Sequence, residues 1–224
     1  MRTIIDALFP NLLCQRAVLR MQRVRPARRG SFQPLRSNEI APKFLTTLIN
    51  RLRRWKYEIV SLHEMLRSLQ ANDGRRCISL TFDGGYRDLV DHGWPILQRE
   101  RVPVTVFVPT LFADGLGEPW WLALEQVIAN HARLGLVMDG RDYRLSCDRP
   151  DEKREAYRLL WRWLYDMDAD HRRGAVRDLC ARYSVDLPSF NRDFMTWDDV
   201  RALAAAPLVT IGSQSLRALT LSSL

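Results

Sequence analysis

Ile78-Ser-Leu-Thr-Phe-Asp83-Gly84-Gly85-Tyr86 is the stretch of sequence that decides the fold. Its beginning is mostly apolar or β-branched, which predicts a buried strand, and the two glycines after Asp83 predict a sharp turn. In α/β proteins the catalytic groups lie just beyond the carboxyl ends of the parallel strands. Asp83 is therefore the candidate catalytic residue.

A strand-helix-strand unit surrounds this stretch. We predict a strand over Cys77–Phe82, a helix over Arg87–Arg101 and a second strand over Val102–Val108. Pro95 falls inside the predicted helix, so this helix is kinked or starts late. Two strands joined by a helical crossover are expected to be parallel. The sequence therefore predicts an α/β fold with Asp83 at the carboxyl edge of its sheet.

The flanking sequence extends this alternation of strands and helices. Apolar periodicity, turn residues and capping residues support each predicted element. The predicted helices are Asn11–Gln22, Lys43–Arg53, His63–Leu69, Trp120–Ala129, Glu152–Leu164, Arg172–Tyr183 and Thr196–Ala205, the further strands are Tyr57–Leu62 and Pro207–Gly212, and Asp139-Gly140 is a hairpin turn.

Two motifs resemble those of the polysaccharide deacetylases, the NodB-homology family. The family's first motif is Thr-Phe-Asp-Asp-Gly, and this chain has Thr81-Phe-Asp-Gly-Gly85. Its second motif is Gly-(Ser/Ala)-His-(Thr/Ser)-x-x-His, and this chain has Gly212-Ser-Gln-Ser-Leu-Arg-Ala218. Arg23-Val-Arg-Pro26 and Ser31-Phe-Gln-Pro34 look like the lead-in to such domains. The resemblance runs from about residue 20 to the C-terminus.

The resemblance implies an incomplete, distorted (β/α) barrel. We expect residues 1–37 to be a basic lead-in with little chemistry, and residues 38–224 to be a partial deacetylase domain with a helical insertion at about 111–190. The family's later strands, which carry an Arg-Pro motif, a Trp and a last His, would follow the second motif. Their absence predicts a truncated, degenerate copy whose sheet does not close. An uncovered sheet edge predicts self-association.

The resemblance also implies a chemistry, which this chain has partly lost. Family members hydrolyse the N-acetyl amide of carbohydrates with a divalent metal, often zinc. Asp83 matches the general base, whereas Gly84, Gln214 and Ala218 replace the three metal ligands. Glycine and alanine offer no donor atom, and a neutral amide oxygen is a weak ligand. We therefore expect no bound metal or other cofactor, and no full deacetylase activity.

No other residues are expected to replace these ligands. The four histidines, His63, His92, His131 and His171, show no metal-ligand spacing. Asp88 and Asp91 follow the first motif, and we interpret them as a solvated first turn of a helix. Cys14, Cys77, Cys147 and Cys180 form no Cys-x-x-Cys pair.

Composition restricts the function classes further. The chain has 224 residues, 46% of them hydrophobic, and a net charge of +8. Arginine spread along the whole chain carries most of this charge, so we interpret it as a solvated surface and expect no nucleic-acid partner. No run approaches the ~18 apolar residues of a membrane span. Asp6 and Pro10 interrupt the apolar start, which argues against a signal peptide and favours a cytoplasmic location.

Three functions remain open on the sequence. The chain is a chitooligosaccharide deacetylase-like hydrolase acting on an N-acetylated oligo- or polysaccharide, a non-catalytic carbohydrate-binding or scaffold module, or a decayed product without its own function. Trp120 and Trp121 are the better candidates for stacking on sugar rings. Trp161 and Trp163 are interpreted as core or interface residues.

Overall fold

A parallel sheet built around one buried strand organises the computed structural model, which describes residues 15–216. This strand, β5 (Cys77–Asp83), is buried over its whole length. It pairs in parallel with β1 (Arg16–Met21) and β6 (Val104–Val108), and β6 pairs in parallel with β9 (Val209–Ser213). The short strand β4 (Glu58–Ile59) pairs with the first two residues of β5. The strand order is therefore β1-β5-β6-β9, with β4 beside the start of β5.

The other elements cover this sheet or build a second layer at its carboxyl edge. The remaining strands are β2 (Arg23–Val24), β3 (Glu39–Ile40), β7 (Arg133–Met138) and β8 (Arg141–Ser146). The α-helices are α1 (Pro42–Arg54), α2 (Leu62–Ala71), α3 (Trp94–Arg99), α4 (Thr110–Ala113), α5 (Trp120–Asn130), α6 (Pro150–Tyr165), α7 (Ala169–Arg182) and α8 (Trp197–Ala204). Short 3-10 helices cover Arg36–Asn38 and Leu187–Asp193, and a π-helical turn covers Leu89–Gly93.

Local sequence signals explain where several helices begin. Pro42 occupies the first turn of α1, where its missing N–H costs nothing. The Thr196 side chain accepts a hydrogen bond from the backbone N–H of Asp199, and the Asp199 carboxylate accepts one from the Thr196 backbone, which forms a capping box. Pro95 lies in the first turn of α3 and is preceded by the π-helical turn, so the predicted late start is confirmed.

The predicted helix over Asn11–Gln22 is wrong for the described residues, because Arg16–Met21 is strand β1. Leu19 and Met21 pack against the core of the sheet, whereas Val18 and Arg20 are exposed. This alternation has the period of a strand, and the pairing with β5 satisfies the backbone. The expected lead-in therefore supplies a strand of the main sheet.

The two larger hydrophobic cores among residues 15–216 lie on different parts of the fold. One core packs α1, α3 and α8 against the sheet and includes Leu45, Leu80 and Val106. The other is built mainly from residues 112–194, and Leu124, Leu160 and Phe194 are among its fully buried members. The β7–β8 hairpin turns at Asp139-Gly140, as predicted, and contributes to this second core.

The α/β class and the unclosed sheet are confirmed. Among residues 15–216, β1 and β9 end the strand order, and no pairing joins them. No helix in this range is long and apolar enough to cross a bilayer. Cys77, Cys147 and Cys180 are buried free thiols.

Candidate functional site

The carboxyl edge of the sheet brings the two family-like motifs together. Asp83 lies opposite Phe107 of β6, and Phe107 lies opposite Gly212 of β9. The backbone N–H of Gly84 donates to the carbonyl oxygen of Phe107 at 3.1 Å, and that of Gln214 donates to the carbonyl oxygen of Val108 at 3.0 Å. Because neighbouring parallel strands end at one edge, residues about 130 positions apart in sequence form one site.

Asp83 is a buried carboxylate with one cationic neighbour. Its residue is 9% exposed, and its Oδ2 accepts a hydrogen bond from Nη1 of Arg20 at 3.3 Å. Burial raises the pKa of Asp83, and the Arg20 guanidinium only partly opposes this effect. Arg20 itself is 65% exposed at its side chain, so water screens the ion pair. A carboxylate with a raised pKa is a stronger base than a free aspartate, which is compatible with proton abstraction.

The residues at the three family ligand positions do not suit a catalytic zinc. Gly84 has no side chain, and its φ of +98° lies in the left-handed region that favours glycine. Oε1 of Gln214 is buried without a hydrogen-bond partner, but it is a neutral oxygen. Ala218 lies outside the described residues. Within residues 15–216, no three His, Cys, Asp or Glu side chains converge to hold a metal. The expectation that the chain binds no metal stays a prediction.

The histidines are scattered over the described structure. His63 is exposed on α2, and His171 pairs with Asp168 at the start of α7. Nδ1 of His131 contacts the carbonyl oxygen of Val127 at 2.8 Å. His92 lies in the π-helical turn after the first motif. The partners of His131 and His171 lie four and three residues earlier in the chain.

The interpretation of Asp88 as a solvated residue is wrong. Asp91 is exposed, but Asp88 is buried, and its Oδ2 accepts a hydrogen bond from Nε of Arg23 at 2.6 Å. Its Oδ1 accepts the backbone N–H of Val24 at 3.2 Å. The Arg23 guanidinium also stacks on the Tyr86 ring, 4.4 Å from its centroid. Asp88 therefore ties the segment after β1 to the segment after β5.

A cavity of about 430 Å³ lies beyond the carboxyl edge of the sheet. Gln22, Gly84 and Gln214, which follow β1, β5 and β9, reach it from the sheet side. Six aromatic residues form one part of its wall, which we call the aromatic wall, namely Tyr86, Phe112, Trp120, Trp121, Trp161 and Tyr165. Asp83 is not among the described residues that line it, although its neighbour Gly84 is.

Contacts between the rings hold this aromatic wall in place. Trp121 Nε1 donates a hydrogen bond to the Tyr86 hydroxyl at 2.9 Å, and burial raises the pKa of Tyr86 to about 12. The rings of Trp120 and Trp161 lie 4.4 Å apart between centroids. Trp163 lies outside the lining and donates instead to Oδ1 of Asp139 at 3.2 Å. The structure thus separates Trp161 from Trp163, which the sequence analysis had treated alike.

Charged residues of the cavity come mainly from α7. Arg177 binds Glu118 through Nε at 2.9 Å and Nη2 at 2.6 Å, and Arg173 lies 3.8 Å from the same carboxylate. Arg172 is 8% exposed, and its guanidinium lies 5.7 Å from the Trp120 ring centroid. The lining therefore carries three arginines and one glutamate.

A family comparison confirms the resemblance in the central segment. Residues 70–132 match the model of a family described as Polysaccharide deacetylase. This segment contains β5, Asp83, β6 and α5, and over it the chain is polysaccharide deacetylase-like. A search of curated proteins finds no match.

Solved structures of deacetylases are among those similar to this chain. A de-N-acetylase from Aggregatibacter actinomycetemcomitans is 15% identical with a TM-score of 0.47, and the match covers 88% of this chain and 53% of that one. The BpsB deacetylase domain from Bordetella bronchiseptica is 18% identical with a TM-score of 0.41, and the match covers 90% and 54%. The deacetylase PplD from Streptococcus pyogenes, solved with acetate, is 19% identical with a TM-score of 0.37, and 44% of each chain is covered. The chain spans about half the length of these structures or less.

The site residues contributed by the lead-in were not predicted from the sequence. Arg20 contacts Asp83, Gln22 lines the cavity, and Arg23 binds Asp88. The sequence of β1 gave only a weak strand signal, because Val18 is apolar but exposed, so apolar and polar residues do not alternate strictly along it. Arg172 gave no comparable signal, because it lies among many arginines of an amphipathic helix.

Proposed function

We propose that this polysaccharide deacetylase-like chain binds an N-acetylated oligo- or polysaccharide in its aromatic cavity and does not hydrolyse the amide by the family's metal-dependent route. The observation that carries the proposal is the position of the cavity. It opens where the two motifs meet, its wall is aromatic, and two of its lining residues are Gly84 and Gln214. The site thus combines a surface for sugar rings with the loss of the metal ligands.

Shape and chemistry of the wall support carbohydrate binding. Pockets that bind small molecules combine apolar and aromatic walls with a few convergent polar groups. Here Trp120 and Trp161 present aromatic surface, and Gln22, Asn38 and Gln214 supply polar groups. A sugar ring has apolar C–H faces, which can pack on the aromatic surface, and a rim of hydroxyls, which can bind the polar groups. A volume of about 430 Å³ is within the range of ligand sites and suits one or two sugar rings.

The described residues supply only part of the hydrolytic machinery. In the family, a bound divalent metal would polarise the amide carbonyl and lower the pKa of a water. Asp83 could accept a proton from water, since burial raises its pKa. Removing even one group that stabilises an oxyanion costs about 100- to 1000-fold in kcat, so losing the metal ligands is expected to remove turnover.

Binding and hydrolysis can be measured on the same protein. Isothermal titration with oligomers of N-acetylglucosamine should detect binding, and an assay for released amine, with and without added Zn²⁺ or Co²⁺, should detect no turnover. Metal-dependent amine release would restore the hydrolase hypothesis. Folded protein that binds none of the oligomers would favour a decayed product without its own function.

Four further expectations remain part of this proposal. We propose residues 38–224 as the deacetylase-like domain with an insertion at about 111–190, and residues 1–37 as a lead-in, amended by the strand β1 that joins the sheet. A cytoplasmic location and the absence of a nucleic-acid partner stay predictions from composition. Self-association through the sheet edge is tested by a variant described below.

A further inference from the structure

We propose that the cavity selects a saccharide that carries an anionic group, a carboxylate or a phosphate, and that Arg172 binds this group. The inference rests on the proposed carbohydrate binding and specifies its ligand class. Nothing in the resemblance or in the family match assigns a role to Arg172, which lies on α7, outside residues 70–132.

Arg172 is a buried cation at the cavity wall. Only 8% of the residue is exposed, and it belongs to the lining, so the part of its surface that stays accessible faces the cavity. No acidic side chain among residues 15–216 forms an ion pair with it. The other buried arginine among the described residues, Arg23, has an acidic partner, because its guanidinium binds Asp88 directly. Burial of a charge is costly unless the charge is paired, and an anionic ligand would provide the partner.

The neighbouring arginines are already occupied. Glu118 accepts two hydrogen bonds from Arg177 and lies near Arg173, which also binds Asp170 at 3.3 Å. Glu118 is the only carboxylate among the described lining residues, and the lining therefore has an excess of two positive charges. A positive field focused in a cavity with apolar walls favours anionic ligands. Arg172 is the cation left to bind such a ligand.

Trp120 lies between the aromatic surface proposed for a sugar ring and the guanidinium proposed for the anionic group of the same saccharide. Its ring packs against Trp161 at 4.4 Å and lies under the Arg172 guanidinium at 5.7 Å. A sugar ring against this aromatic pair would place a substituent within reach of the guanidinium. The planar fork of an arginine matches the two oxygens of a carboxylate or a phosphate in a bidentate hydrogen bond. Both groups share this chemistry, so the experiment separates them.

Three probes of similar size test the inference by isothermal titration. The first is a neutral tetramer of N-acetylglucosamine, and the second is the same tetramer carrying one anionic 6-phosphate group. The third is a tetrasaccharide that alternates N-acetylglucosamine with glucuronate. We expect at least one acidic probe to bind tenfold or more tightly than the neutral probe at low salt. Raising the salt should reduce this preference, because ions screen the interaction.

Variants assign the preference to Arg172. Arg172→Gln should remove the preference for the acidic probe and keep neutral binding, and Arg172→Lys should keep part of the preference. Arg182→Gln is the matched control: Arg182 lies on the same helix outside the cavity, and its loss changes the net charge equally. If Arg172→Gln fails to fold, Glu118→Gln still tests the inference, since it releases Arg177 and should tighten acidic binding.

The outcomes separate this inference from the proposed function. Equal affinity for neutral and acidic probes, unchanged in Arg172→Gln or Glu118→Gln, would overturn the inference and leave carbohydrate binding intact. Failure of every probe to bind would overturn the proposed function itself. A preference for glucuronate or for phosphate that Arg172→Gln removes supports the inference and identifies the source of the anionic group. A preference that Arg172→Gln keeps in full would overturn the assignment to Arg172.

Discussion

The ring of Tyr86 fills the space into which any side chain at position 84 would project. A Cβ atom on Gly84 would lie 2.8 Å from Cε2 of Tyr86 and 3.1 Å from its Cδ2. Tyr86 is held in this position by stacking on Phe194, with centroids 4.8 Å apart, and by the hydrogen bond from Trp121. The glycine at position 84 and the aromatic wall of the cavity are therefore structurally coupled.

Restoring the family's aspartate should consequently not restore a metal site. We expect Gly84→Asp to lower the free energy of unfolding by about 1–3 kcal/mol, because a non-glycine residue at a φ of +98° is strained and its Cβ meets Tyr86. Urea unfolding measures the loss, and titration with zinc measures binding. Gly84→Asp that is as stable as the parent chain and binds one zinc tightly would contradict this prediction.

Two alanine variants separate the contributions to that loss. Gly84→Ala carries the strain and the contact with Tyr86 without a carboxylate, so it should be nearly as destabilised as Gly84→Asp. Gly30→Ala is a matched control with a φ of +111° and no atom within 4 Å of its added Cβ. It should show the strain alone and therefore the smaller loss.

Asp83 should make the stability depend on pH in a defined direction. Burial raises its pKa in the folded state above the ordinary value of 3.8, so the ionised carboxylate favours the unfolded chain. The penalty is absent below the unfolded pKa and develops as the pH rises through the folded pKa. Asp83→Asn should therefore be stabilising at neutral pH, and its advantage should vanish in acid.

Unfolding measured from pH 3 to pH 8 checks the Asp83 prediction. Asp91→Asn is the control, because Asp91 is exposed in the segment that follows the same motif. Asp83→Asn also removes the ion pair with the exposed Arg20. This removal should lower the free energy of unfolding only slightly, since surface ion pairs contribute about 0–1 kcal/mol. A gain in stability that is the same at every pH would argue against a raised pKa.

Local features of the fold could be predicted from the sequence. The strand ending at Asp83, the interruption at Pro95, the hairpin at Asp139-Gly140 and the cap at Thr196 each depend on residues within a few positions. Backbone sterics and short-range hydrogen bonds determine such features, so a sequence pattern is sufficient.

The contacts that complete the site could not be predicted in the same way. β1 pairs with a strand about 60 residues away, and Arg23 binds Asp88 at a separation of 65 residues. A sequence pattern does not show which distant partner compensates a buried charge. Likewise, an aromatic residue on an amphipathic helix looks the same whether it faces a core or a cavity, which is why Trp161 was interpreted as a core or interface residue.

The buried pair of Arg23 and Asp88 should be a major contributor to stability. Their side chains are 7% and 10% exposed, and breaking a buried pair leaves an uncompensated charge. We expect Asp88→Asn to cost about 3–5 kcal/mol in urea unfolding. Glu100→Gln, which breaks a more exposed pair with Arg53, should cost much less, because water screens that pair. Similar losses in the two variants would show that Asp88 does not stabilise the fold through its charge.

The separation of Trp161 from Trp163 gives a direct test of the aromatic wall. Trp161 lines the cavity beside Trp120, whereas Trp163, on the same helix, contacts Asp139 outside it. We expect Trp161→Ala to weaken binding of N-acetylglucosamine oligomers tenfold or more, about 1.4 kcal/mol, because aromatic anchors dominate binding energies. Trp163→Ala should change the affinity less than twofold. Isothermal titration compares them, and equal effects would place the sugar site elsewhere.

The edge strand β1 provides the last test, which concerns self-association. Val18 is 47% exposed on this strand, which ends the order of the sheet within residues 15–216. A strand edge with unpaired backbone groups recruits other chains, and a lysine there opposes such pairing. We expect Val18→Lys to lower the sedimentation coefficient of the protein at high concentration. Leu66→Lys, at a position 52% exposed on helix α2, introduces the same charge away from the edge and should leave association unchanged. Equal reductions by both lysines would mean that net charge, and not the strand edge, controls association.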